Sequence, residues 1–163
     1  EAGTGRGEGY CVNVPLPPYT DDDRYLWAFH EIVPPLLNRF SANVMVTQLG
    51  VDTHIQDPLA SLALTTKGQS TLFTTLAKMA PKWLALGGGG YAIDVVPRAW
   101  TLAFGAMAGI KWPEELPPGY RAQYGGRWLR DQEPVHLDER LSQQVSERVE
   151  EVVEALKAIH ALR

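Results

Sequence analysis

The chain has 163 residues, 45% of them hydrophobic and 21% charged, with a formal net charge of -4 and a sequence pI near 5.5. That length suffices for one compact domain with a real core, and the scattered basic residues exclude a large nucleic-acid-binding patch. No apolar run approaches the ~20 residues of a membrane helix, and the lone Cys11 excludes an internal disulfide or a cysteine-cluster zinc site, in keeping with a reducing, cytoplasmic setting.

The chain opens without a methionine in a polar, glycine-rich stretch, Glu1 to Gly9. It reads as a loop, with no signal-peptide pattern, and as the start of a piece cut from a longer protein. Tyr10 to Pro15 is short, β-branched and alternating, which predicts a strand ended by Pro15, Pro17 and Pro18. Thr20 or Asp21 is placed to cap a helix with Asp22 and Asp23 in its first turn, where the helix dipole favours negative charge. Tyr25, Leu26, Phe29, Ile32 and Val33 follow at helical spacing, and Pro34-Pro35 is expected to interrupt or kink the helix before Leu36, Leu37 and Phe40. Asn43 to Leu49 is a mostly apolar run that suits a buried parallel strand. An irregular segment, Gly50 to Leu64, precedes a helix predicted over Thr66 to Ala80 with Leu72, Leu76 and Met79 on one face. Lys82 to Leu86 reads as a further strand that stops at Gly87, and Val95 to Ala108 as another helix. Trp112 to Pro134, rich in proline and glycine with two tryptophans, reads as a surface excursion or an ordered wrap. Leu141 to Leu162 is a final amphipathic helix with Leu141, Val145, Val149, Val152, Leu156 and Ile159 as its stripe. Alternating strands and helices give an α/β fold with a mostly parallel sheet, and three strands are few for one that stands alone.

Ligands of open α/β sheets bind beyond the carboxyl ends of the strands, so the informative residues follow each strand. After the first apolar run comes Gly50-Val51-Asp52-Thr53-His54-Ile55-Gln56-Asp57-Pro58-Leu59. Asp52 there suits a general base, a metal ligand or simply a turn residue, and Asp57 suits a loop brace. His54 pairs with Asp52 as Asp-x-His, although a loop histidine is more often hydrogen-bonded or solvated than a ligand. After the next run comes Gly87-Gly88-Gly89-Gly90-Tyr91, where glycines admit a close backbone approach and a tyrosine can donate to an oxyanion. A tight turn with a packing tyrosine is the alternative. A phosphate loop is disfavoured, because no Gly-Lys-Ser/Thr follows.

Taken in order, Tyr10–Leu16, Gly50–Ala60, Leu64–Gly68, Leu86–Tyr91 and Arg98–Trp100 resemble the zinc-dependent histone deacetylase family, in the style of the bacterial acetoin-utilisation deacetylases. The resemblance covers about Gly3 to Trp100; each motif is modest alone and the ordered set is specific. It implies part of an arginase-like α/β fold, with residues 1–163 as the C-terminal portion of one deacetylase domain: a motif-bearing core over 1–110, the excursion over 111–140 and the terminal helix over 141–163. It implies Asp52 as one of three protein ligands to Zn2+, Tyr91 as the catalytic, transition-state tyrosine, Leu59 beside the acyl-lysine channel, and Gly89 and Gly90 at its floor. The family's earlier Asp-x-His metal segment and its His-His pair are absent from these residues, and the flanks of His54 match the later loop, so His54 is not an expected ligand. Pro58 and Asp94 stand where some nuclear members carry inositol-phosphate arginines, which argues against that regulation.

The resemblance thus implies hydrolysis of acetyl-lysine by the parent protein, with an acetylated protein or a small acetylated amine as substrate and the N-terminal portion of the same domain as partner. No nucleic-acid or membrane partner is expected. The alternatives are an inactive deacetylase-like chain acting as a binding module, and an acetylpolyamine deacetylase.

Overall fold

A computed structural model describes residues 3–162. Glu1 and Ala2, the first residues of the expected opening loop, lie outside the described residues; the rest of that loop holds one 3-10 turn, Gly5–Gly7. Helix α1 (Asp22–Phe40) starts where the sequence directs it. The Asp21 carboxylate accepts from the Arg24 amide at 3.2 Å, and Asp22 and Asp23 occupy the first turn. Strand β1 (Met45–Gln48), helix α2 (Thr66–Leu76), strand β2 (Trp83–Leu86) and helix α3 (Val96–Ala108) follow, then a short α4 (Pro118–Tyr124) and a long α5 (Glu139–His160).

β1 and β2 pair in parallel, Met45 opposite Trp83 and Gln48 opposite Leu86. Backbone bonds extend the pairing, from Met45 N–H to Lys82 C=O and from Leu49 N–H to Leu86 C=O, both 2.9 Å. The Trp83 indole N–H donates to Thr47 Oγ1 at 2.8 Å, a cross-strand bond that suits this register. One face of the pair carries Met45 and Ala85 into a core made with Phe73 and Leu76 of α2 and Ala99, Leu102 and Ala103 of α3. The other face presents Val46, Leu84 and Leu86, all exposed. Parallel sheets are normally covered on both faces, so this one is half-dressed within the described residues.

A second core joins α1 to α5 through Ala28, Ile32, Val145, Val149 and Val153. Arg24 at the start of α1 donates to Ser142 and Ser146 at the start of α5, and Arg39 at its end donates to the carbonyls of His160 (2.7 Å) and Ala161 (3.1 Å). The two helices therefore run in the same direction, with a guanidinium at the negative pole of α5.

The structure corrects four expectations. Tyr10–Pro15 is not a strand: no strand pairs with it among the described residues. Its alternation is real, since Val12, Val14 and Leu16 are half-buried against the α1–α5 core while Cys11, Asn13 and Pro15 face outward, but alternation reports burial and not pairing. The sheet accordingly has two strands where three were expected. Pro34 and Pro35 do not interrupt α1, which continues to Phe40. A helix-interior proline costs ~3 kcal/mol; here Leu36 and Leu37 beyond the prolines pack into the two cores and hold the last turns in place. Helix α2 ends at Leu76 rather than Ala80, and isolated turns carry the chain through Met79.

Candidate functional site

The two loops singled out by the sequence leave the same ends of β1 and β2 and interlock. Val51 N–H donates to Gly89 C=O at 2.7 Å, carrying the sheet pairing into the loops. A Cβ at Gly88 would lie 2.5 Å from the Gly50 nitrogen, so only hydrogen at that position lets the two backbones meet. A Cβ at Gly89 would lie 2.1 Å from Asp52 Oδ2. The Asp52 carboxylate therefore rests on the glycine turn, two residues from Tyr91.

Asp57 bolts the loops together. Its Oδ1 accepts from the amides of Leu59 (2.9 Å) and Ala60 (3.2 Å), and its Oδ2 accepts from the amide of Tyr91 (2.8 Å). Burial opposes its ionisation, but the N–H groups of Leu59, Tyr91, Ala60 and Ala92 outweigh that and hold its carboxyl below the ordinary carboxylate range. Asp57 is thus the brace expected from the sequence. The Tyr91 side chain, 52% exposed, stands free of that brace, as does Leu59 at 71%. Gly89 and Gly90 are half-buried beside them.

His54 is 1% exposed and hydrogen-bonded, not directed at Asp52 as a metal partner. Its Nε2 lies 2.8 Å from Asp131 Oδ2, and its Nδ1 accepts from the Gln56 amide at 3.1 Å. Asp131 also accepts from the Thr66 amide (2.8 Å), the Thr66 hydroxyl (2.9 Å) and Arg98 Nη1 (2.9 Å). Burial again opposes ionisation, and the bonds from His54, Thr66 and Arg98 together with the Arg98 charge outweigh it, so the Asp131 carboxyl is held far below the usual range. Sequence reading missed Asp131. The only signal was its place after Trp128-Leu129-Arg130, at the end of an excursion whose Leu116 and Leu129 prove to be core residues.

The donor set fits one corner of a zinc site. A carboxylate is an ordinary zinc ligand, and Asp52 is half-buried at the strand ends where ligands of such sheets bind. Among the described residues no group of three His, Cys, Asp or Glu is arranged to hold a metal. Catalytic zinc uses three protein ligands, so two come from outside these residues if the site is built that way. Among the described residues, too, no helix is long and apolar enough to cross a membrane.

Comparison with known proteins bears on the same segment. The family model described as "Histone deacetylase domain" matches residues 1–107. The chain is 38% identical over 129 residues to a "Probable deacetylase" of Archaeoglobus fulgidus, covering 72% of the chain and 36% of that protein. It is 40% identical over 124 residues to "Acetoin utilization protein AcuC" of Bacillus subtilis, covering 72% and 32%. It is 32% identical over 150 residues to "Histone deacetylase 8" of Danio rerio, covering 91% and 40%. The chain spans about a third of the length of these relatives.

Proposed function

The chain belongs to the histone deacetylase family, and from that premise we propose that the whole protein is a zinc-dependent deacetylase of the acetoin-utilisation type that hydrolyses acetyl-lysine. The observation that carries this reading is the interlock of the Asp52 and Gly87–Tyr91 loops at one rim of the parallel sheet, inside the matched region. It joins the loop that carries Asp52 to the loop that carries Tyr91, which supports a shared role for the two residues.

Zinc, when bound, supplies Lewis-acid polarisation of the acetyl carbonyl and brings the pKa of water down to ~7. Asp52 holds one coordination position. The glycine turn beneath it leaves room for that carboxylate, since a Cβ at Gly89 would lie 2.1 Å from its Oδ2. Tyr91 donates its phenolic proton as a hydrogen bond to the carbonyl oxygen while negative charge gathers on it. The Asp57 brace on the Tyr91 amide fixes the backbone from which the phenol swings. Leu59 packs against the aliphatic part of the acyl-lysine, and Gly89 and Gly90 leave room for the acetyl group. A general base from outside these residues takes the proton of the attacking water, and the products are acetate and a free amine.

The catalytic unit is completed by the N-terminal portion of the same domain, and the 163 residues alone are inactive. The exposed apolar face of Val46, Leu84 and Leu86 supports this, because a parallel pair left open on one face has room for further structure. Acetylated proteins and small acetylated amines are both substrates of suitable chemistry, acting in the cytoplasm. An inactive, partner-binding chain is the competing reading, favoured by the lack of a three-ligand group among the described residues. Substitution in the whole protein separates the two. Tyr91→Phe is expected to lower turnover of an acetyl-lysine peptide ~10²–10³-fold, and Asp52→Ala to abolish zinc retention in elemental analysis. Turnover of Tyr91→Phe within about threefold of the unaltered protein contradicts the tyrosine's role.

A further inference from the structure

We propose that Asp131 is a positioning residue for the Asp52 loop: through His54 it fixes the turns that carry Asp52, and so sets metal affinity as well as stability. The inference rests on the reading of Asp52 as a metal ligand.

The argument starts from the tautomer of His54. Its Nδ1 accepts from the Gln56 amide, so that nitrogen carries no proton, and the ring proton sits on Nε2 and is donated to Asp131. The imidazole is thereby a strut of fixed direction, tied at one end to the loop's own backbone and at the other to a carboxylate. It enters the loop between two consecutive turns. His54 N–H bonds to Val51 C=O at 3.3 Å, closing the turn that holds Asp52, and Asp57 N–H bonds to His54 C=O at 2.9 Å, closing the turn that ends in the brace to Tyr91. Rotation of the strut therefore moves both the proposed ligand and the proposed oxyanion donor.

The far end of the strut is held from two helices. Arg98 on α3 holds Asp131 Oδ1, while Thr66 at the start of α2 holds Oδ2 through its amide and hydroxyl and accepts the Asp131 amide at 2.8 Å. Thr66 N–H is one of the amides that a helix leaves unpaired at its beginning. Asp131 thus refers the position of the metal loop to the two helices that cover the sheet. Every oxygen of the carboxylate faces donors, so an amide in its place would turn an NH2 group toward one of them.

The test measures zinc affinity of the whole protein by competition with a chelator of known strength, alongside thermal melting. Asp131→Asn is expected to weaken zinc binding ~10-fold, the low end of the cost of losing a group bonded to a ligand directly, because Asp131 acts on Asp52 through His54. Val149→Ala, in the α1–α5 core and outside the Asp131 contacts, is expected to lower the melting temperature while zinc affinity changes little. His54→Gln keeps a donor near Nε2 and is expected to bind zinc more tightly than His54→Asn, which keeps only the acceptor near Nδ1. The proposal is overturned if Asp131→Asn binds zinc as the unaltered protein does while Asp52→Ala loses it. It is equally overturned if affinity follows melting temperature alike in Asp131→Asn and Val149→Ala. Should Asp131→Asn not fold, equal zinc affinity in the two His54 variants overturns it. Zinc retention by Asp52→Ala instead overturns the ligand reading and this inference with it.

Discussion

Gly89→Ala is the most discriminating single change in the loops. The added Cβ would stand 2.1 Å from Asp52 Oδ2, whereas ordinary van der Waals contact begins at 3.4 Å. The carboxylate must then withdraw by about 1.3 Å, the difference between those distances, because the atoms in the way are Oδ2 and, at 2.8 Å, Cγ of the Asp52 side chain and not backbone. Zinc–carboxylate bonds fall at ~2.0–2.2 Å with a tolerance of ~0.2 Å, so such a displacement takes Asp52 out of coordination range. Misplacement of a reacting group by ~1 Å costs ~10² in rate. The alanine variant of the whole protein is therefore expected to keep its far-ultraviolet circular dichroism and a cooperative melt, to bind zinc weakly in dialysis followed by elemental analysis, and to turn over an acetyl-lysine peptide ~10²-fold more slowly. Full zinc content with unimpaired turnover would refute the reasoning, for it would mean that the metal does not depend on the carboxylate above Gly89.

Two further predictions concern stability. Asp57→Ala strips the acceptor from the amides of Leu59, Ala60 and Tyr91; it should lower the free energy of unfolding by ~1–3 kcal/mol in urea titrations, and an unchanged midpoint would contradict the bracing role. Asp57 and Asp131 both have carboxyls held below the ordinary range in the folded protein. Their contribution is fully present above the unfolded value of about 3.9 and is lost as pH falls through the lower folded values, so stability should decline below about pH 4. Urea midpoints taken from pH 7 to pH 2 check this, and the decline should be shallower in Asp57→Asn.

Much of the fold was readable because its causes are local. The apolar runs of β1 and β2, the Asp21 cap and the α5 stripe from Leu141 to Leu156 each act within a few residues of themselves, although Ile159 of the expected stripe is 65% exposed and the buried Val153 falls outside it. The misreadings arose where packing overrode local signals. Val12, Val14 and Leu16 alternate like a strand because they line the α1–α5 core, and the prolines of α1 are tolerated because residues on both sides are buried. The candidate site divides the same way. Asp52 and Tyr91 lie in the loops that leave β1 and β2, so the rule that ligands bind at strand ends nominates both. Asp131 is found by no such rule: its partners His54, Thr66 and Arg98 lie on three other segments, and nothing in an irregular, proline-rich stretch marks one aspartate over its neighbours.

The central claim, that Asp52 binds the catalytic metal beside Tyr91, is tested most directly by anomalous scattering at the zinc edge from crystals of the whole protein. The account predicts a zinc peak ~2.0–2.2 Å from an Asp52 carboxylate oxygen, with the Tyr91 phenol facing it. A fully occupied zinc whose ligands do not include Asp52 would contradict it.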